Sequence, residues 1–184
     1  MKRAVSLLLV FVMLFTFCAC GGSAGADNKG GEEEKLREIT VDLSIFSEVT
    51  TQEDLNKAVA DGKATEATLN ADGTATYKLT KAQHEKTLSE LRAAIQEGLD
   101  EMIGPDGYDY TEIKANEDYT KFTVKSNATE VNLMDSFAVL LFYMYGGFYQ
   151  GFSGADADQV ITVEFVNAST GAVYHTTNSG ELSE

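Results

Sequence analysis

Residues 64–79 read ATEATLNADGTATYKL. Asp72-Gly73 is a tight-turn pair, and Ala75, Tyr77 and Leu79 alternate after it, so the stretch predicts a β-hairpin. The same logic extends in both directions. Upstream, Ile39, Val41, Leu43 and Ile45 alternate strictly, which predicts a half-buried strand over 38–46. Between the two, Thr50-x-x-Glu53 has the form of a capping box. Leu55, Ala58 and Val59 follow at helical spacing, and Gly62 can end that helix. Downstream, Thr80-x-x-Gln83 is a second capping box. Leu88, Leu91, Ile95, Leu99, Met102 and Ile103 then mark one face of a long helix that stops at Gly104-Pro105.

Two further hairpins are expected. One covers about 110–125, with its turn at Asn116-Glu117-Asp118 and Phe122 and Val124 on its inner face. The other covers about 159–178, with Ile161, Val163 and Phe165 alternating and Gly171 in the turn. Residues 133–150 form the most apolar helix. Hairpins require antiparallel pairing, and helices with one apolar face must cover a sheet. The expected fold is α+β: a mostly antiparallel sheet built from an N-terminal strand and three hairpins, with three helices packed on it. The turns at Asn70, Asn116 and Asn167 could be traces of an internal repeat. Local turn chemistry of Asn and Asp is the stronger explanation, since the flanking strands do not match.

The chain has 184 residues and a formal net charge of −15. So much acid disfavours nucleic acid and anionic lipid as partners. Cys18 and Cys20 are its two cysteines, and both precede the patterned region, so the folded domain is expected to have no disulfide.

The N-terminus reads as an export signal. Lys2 and Arg3 precede an apolar run from Ala4 to Phe17, too short for an ordinary membrane-spanning helix. The segment Phe17-Cys18-Ala19-Cys20-Gly21-Gly22-Ser23 resembles the bacterial lipoprotein lipobox. That resemblance implies a diacylglycerol on the Cys20 sulfur and cleavage after Ala19. It departs from the usual pattern at Phe17, where Leu is common, and at Cys18, where Ala or Ser is. A competing A-x-A pattern, Ala24-Gly25-Ala26, would instead release the protein with Asp27 first. Residues 21–34, GGSAGADNKGGEEE, read as a flexible tether spanning roughly 20 Å. The expected organisation is a signal peptide over 1–19, a lipidated Cys20 with tether over 20–35, and one α+β domain over 36–184. The expected location is the outer face of the cell membrane, with secretion after Ala26 as the alternative.

Chemistry-bearing patterns are sparse. Tyr145, Phe148, Tyr149 and Phe152 lie at i, i+3, i+4 and i+7, which suits core packing and could also line a ligand or partner surface. Gly147 and Gly151 have small-xxx-small spacing, a weak sign of close backbone approach. His84 is expected to face solvent and His175 falls on the last strand; neither has a catalytic motif around it. Asp156-Ala157-Asp158 resembles the start of a calcium loop but lacks the glycine and distal Glu, and Asp106 and Asp109 are similarly isolated. No metal and no cofactor are implied.

The region from about 36 to 178 resembles a group of small lipoproteins of Gram-positive bacteria. The likeness rests on the opening from Val41-Asp42-Leu43 to Asp54-Leu55, on the hairpin from Asn70 to Tyr77, and on Tyr145-Gly-Gly-Phe-Tyr-Gln150 leading to Phe152-Ser-Gly154. It implies export and this fold, and transfers no site residue. The functional expectation is a non-catalytic, membrane-tethered domain that binds a protein or small-molecule partner. The alternatives are an envelope hydrolase whose site assembles only in the fold, and a purely structural envelope protein.

Overall fold

A computed structural model describes residues 36–43, 50–105, 108–155 and 159–183. Cys20, Ala19, the tether, Ala26, Ile45, Asp106 and the Asp156–Asp158 stretch lie outside the described residues. The chain divides into two compact units, Met1–Glu90 and Leu91–Glu184. Among the described residues the fold is α+β with three helices, as the sequence pattern implies, and the strands form two sheets rather than one.

The first unit holds β1 (Arg37–Asp42), α1 (Gln52–Ala60), β2 (Glu66–Leu69) and β3 (Thr74–Leu79). Its antiparallel sheet has the order β1-β3-β2. Alternation sets the register: Ile39 faces Tyr77 and Val41 faces Ala75, and all four are buried. Burial pushes the Tyr77 hydroxyl up to about 12. Gly73 takes φ +86° in the β2–β3 turn, a conformation that favours glycine, as the Asp72-Gly73 pair predicts.

Helix α1 starts one residue later than its expected cap. Thr51, not Thr50, is the N-cap, and its partner is Asp54, not Glu53. The Thr51 side chain accepts from the Asp54 amide, and the Asp54 carboxylate accepts from the Thr51 amide at 2.9 Å. The sequence Thr50-Thr51-Gln52-Glu53-Asp54 carries the pattern in two registers. The shorter Asp makes the bond, and that places Leu55 and Ala58 inward. At the second expected box the residues are those predicted: Thr80 N–H donates to Gln83 Oε1 at 2.8 Å, and Gln83 N–H to Thr80 Oγ1 at 3.1 Å.

Helix α2 (Lys81–Glu101) begins in the first unit and ends in the second. Leu91, Ile95, Leu99 and Met102 are buried along the expected stripe; Leu88 is half-buried and Ile103 is exposed. His84 does not face solvent. It is buried, and Arg37 Nη1 donates to its Nδ1 across 3.3 Å. The reason is positional: His84 stands four and seven residues before Leu88 and Leu91, on the stripe that turns inward.

The second unit holds β4 (Glu112–Ala115), β5 (Lys121–Ser126), α3 (Leu133–Ser153), β6 (Thr162–Asn167), β7 (Val173–Asn178) and a 3-10 turn at Ser179–Ser183. Its sheet runs β4-β5-β6-β7. The two hairpins are antiparallel as expected, but β5 and β6 are parallel. Parallel neighbours need a crossover, and α3 supplies it by carrying the chain back from the end of β5 to the start of β6. Phe122 and Val124 of β5 stand beside Val163 and Phe165 of β6, all fully buried. Phe142 of α3 packs on Phe122 with ring centres 5.2 Å apart.

Candidate functional site

Helix α3 is the most apolar helix among the described residues. Its N-terminus is fixed by a capping box between Asn132 and Asp135. Asn132 Oδ1 accepts from the amides of Met134 and Asp135, and Asp135 Oδ2 accepts from the Asn132 amide at 2.7 Å. Asp135 is buried, and its other oxygen accepts from the Tyr110 hydroxyl at 2.7 Å. Desolvation, then the hydrogen bond to Asp135, push the Tyr110 hydroxyl well above its usual range. The helix ends at Gly154 in the left-handed conformation, φ +74°.

The inner side of α3 is tightly engaged. An ideal Cβ on Gly146 would stand 2.5 Å from the Tyr119 carbonyl oxygen and 2.7 Å from Ile161 Cδ1. Tyr119 itself adopts φ +55°, unusual for a non-glycine residue. The Tyr119 and Tyr149 rings lie 4.6 Å apart. Arg92 sits over the Tyr149 ring with its guanidinium carbon 5.1 Å from the centroid, and it donates to the Tyr149 hydroxyl. Gln150 Nε2 donates to the Asp118 carbonyl. Tyr143 and Thr177 hydroxyls pair at 2.9 Å.

The four aromatics singled out by spacing, Tyr145, Phe148, Tyr149 and Phe152, are all buried here. At most 8% of any of them is exposed, as core packing requires. Burial pushes the Tyr145 hydroxyl up to about 12. His175 lies half-buried on β7 opposite Phe165, with ring centres 6.1 Å apart. Asn167 is buried in its turn, where its Oδ1 accepts from the Ser169 and Thr170 amides. Among the described residues, every buried side-chain nitrogen and oxygen has a hydrogen-bond partner. No group of His, Cys, Asp and Glu among them is placed to hold a metal ion. No helix among them is long and apolar enough to cross a membrane.

The outer side of α3 is a different surface. Leu133, Met134, Phe137 and Leu140 are exposed, Met144 is half-buried, and Gly147 is exposed. Asp135 is the one charged residue in the helix, and it points inward. Helix α2 shows the ordinary alternative: its outer side carries Lys81, Glu85, Lys86, Glu97 and Asp100, with Lys81–Glu85 and Lys86–Glu90 ion pairs. The run from 137 to 149 is apolar on every side, so its sequence did not show which side would lie outward. No family model matches the chain, and no curated protein and no solved structure match it.

Proposed function

We propose that this chain is a lipid-anchored extracytoplasmic protein of the kind found among small Gram-positive lipoproteins, and that its folded part works by binding rather than catalysis. The observation that carries the anchor is the N-terminal segment. An apolar run ends at Phe17, small residues bracket Cys20, and a glycine-rich polar tether follows. Two acyl chains on one cysteine would hold the protein stably, which a single chain does not do. The binding role is supported by the uncharged, exposed outer side of α3 in a strongly acidic chain. The histidines support the same preference, since His84 pairs with Arg37 and His175 packs on Phe165.

Mass spectrometry of the mature N-terminus tests the anchor. A diacylated Cys20 as first residue is the expected result. An unmodified chain beginning at Asp27 would show release after Ala26 instead.

A further inference from the structure

Two glycines in α3 stand where a side chain would meet only open space. Gly146 is required, because a side chain there would strike the Tyr119 carbonyl. Gly147 and Gly151 are not: a Cβ on either would meet nothing within 4 Å. Glycine inside a helix is costly relative to alanine, so two open glycines are an unexplained expense in an isolated chain. They lie on the outer side, in line with its large residues. Leu133, Phe137, Leu140, Met144, Gly147 and Gly151 follow one another at steps of four, three, four, three and four. That is the 3.5-residue seam of a two-helix pair.

The order of sizes along the seam selects the occupant. The large side chains fill its N-terminal half, and the glycines its C-terminal half. Two copies of α3 laid antiparallel about a two-fold axis between Leu140 and Met144 would set Leu133 opposite Gly151, Phe137 opposite Gly147, and Leu140 opposite Met144. Each projecting side chain then meets a dent or a slim neighbour, and each layer is repeated by symmetry. An isologous interface requires this self-complementarity. Charge agrees, since the outer side carries none and two acidic chains would meet where repulsion is least.

We infer that the outer side of α3 is a homodimer seam, with Phe137 of one copy seated over Gly147 of the other. The inference deepens the binding half of the proposed function and rests on it, but it does not depend on the lipid. Exposure of 72% at Leu133, 55% at Met134, 53% at Phe137 and 48% at Leu140 sets the scale. At about 200 Å² per large side chain, a pair would bury roughly 700 Å² along the seam, or roughly 900 Å² with Met134 beside it, which is below the ~1,000 Å² that a stable interface clears. The dimer is therefore weak in dilute solution, and tethering to a surface would favour it by raising effective concentration.

Cross-linking of the full chain on intact cells and in their medium, with a short bis-maleimide, tests the register. The double variant Phe137→Cys with Gly147→Cys is expected to give a covalent dimer. Phe137→Cys alone should give no more than the unsubstituted chain, because its two copies would stand ~15 Å apart along the seam. Adding Leu140→Glu to the double variant should cut the product at least tenfold. All three positions are exposed, so the fold should tolerate them. A dimer from Phe137→Cys alone equal to that of the double variant would overturn the inference. So would a double variant giving no product above background, as expected if lipid or another protein covers this side. The chemical state of Cys20, read by mass, is unaffected by either outcome, so failure of the seam and failure of the anchor are told apart.

Discussion

The Tyr119 carbonyl oxygen occupies the space that a side chain on Gly146 would need, 2.5 Å from an ideal Cβ. The β4–β5 turn and α3 meet backbone to backbone at that point. Gly146→Ala should therefore destabilise the protein by about 1–3 kcal/mol, as overpacking does. Gly147→Ala, one residue on and facing open space, should leave stability unchanged or raise it by up to about 1 kcal/mol. Denaturant titrations of the two variants are expected to shift the midpoint in opposite directions, or to shift it for Gly146→Ala alone.

Tyr110→Phe removes the hydroxyl that satisfies Asp135 Oδ1. A buried acceptor then loses its donor, at a cost of about 1–3 kcal/mol. Tyr110→Phe combined with Asp135→Asn should cost less than the sum of the single changes, because the two residues share one bond. A thermal-melt cycle of the four proteins measures that coupling.

Stability should fall on the alkaline side. Burial raises the hydroxyls of Tyr77 and Tyr145 to about 12, and those of Tyr110, Tyr119 and Tyr143 are also raised from the ordinary value of 10.0. The folded state keeps these protons while the unfolded state releases them. The stabilisation is therefore complete below pH 10 and is lost as pH rises from 10 through the folded values. Denaturation midpoints measured between pH 8 and pH 12 should drop across that window. The part of the tyrosinate absorbance that belongs to these five residues should rise together with unfolding rather than before it.

Gln52 covers the free edge of β2. Its amide accepts from the Leu69 N–H at 2.8 Å and donates to the Ala67 carbonyl at 3.0 Å, as a neighbouring strand would. Gln52→Ala should speed hydrogen exchange at the Leu69 amide selectively, with Lys78 and the other β3 amides keeping their protection. A uniform change across the sheet would contradict this role.

The sequence displayed features whose cause is local. Asp72-Gly73 and the Asn116 and Asn167 turns make the hairpins, Thr80 and Gln83 start α2, and strict alternation around Ile39 and Tyr77 sets the first sheet. Features fixed by distant partners were not legible. Nothing near β5 or β6 says that they lie side by side, because that pairing is made across a whole helix. The two-register pattern at Thr50 and Thr51 needed the position of Leu55 to decide it. His84 could have been placed inside by continuing the α2 stripe one turn backwards, since a polar residue at helical spacing follows its neighbours. At the candidate site, spacing found Tyr145, Phe148, Tyr149 and Phe152 but not which way they turn. The opposite side of α3 differs from them in one readable respect, its two glycines.

The parallel joint between β5 and β6 has a bearing on how the second unit comes into being. As a chain emerges from its N-terminus, each hairpin can zip up within moments of appearing, because its strands are adjacent. The central pair of this sheet cannot. β5 must wait, with its inner Phe122 and Val124 uncovered, until α3 and then β6 have followed it. The half-made unit is the stage at which sticky strand and apolar helix are both bare, so the window for misassembly opens at β5 and closes only when β6 arrives.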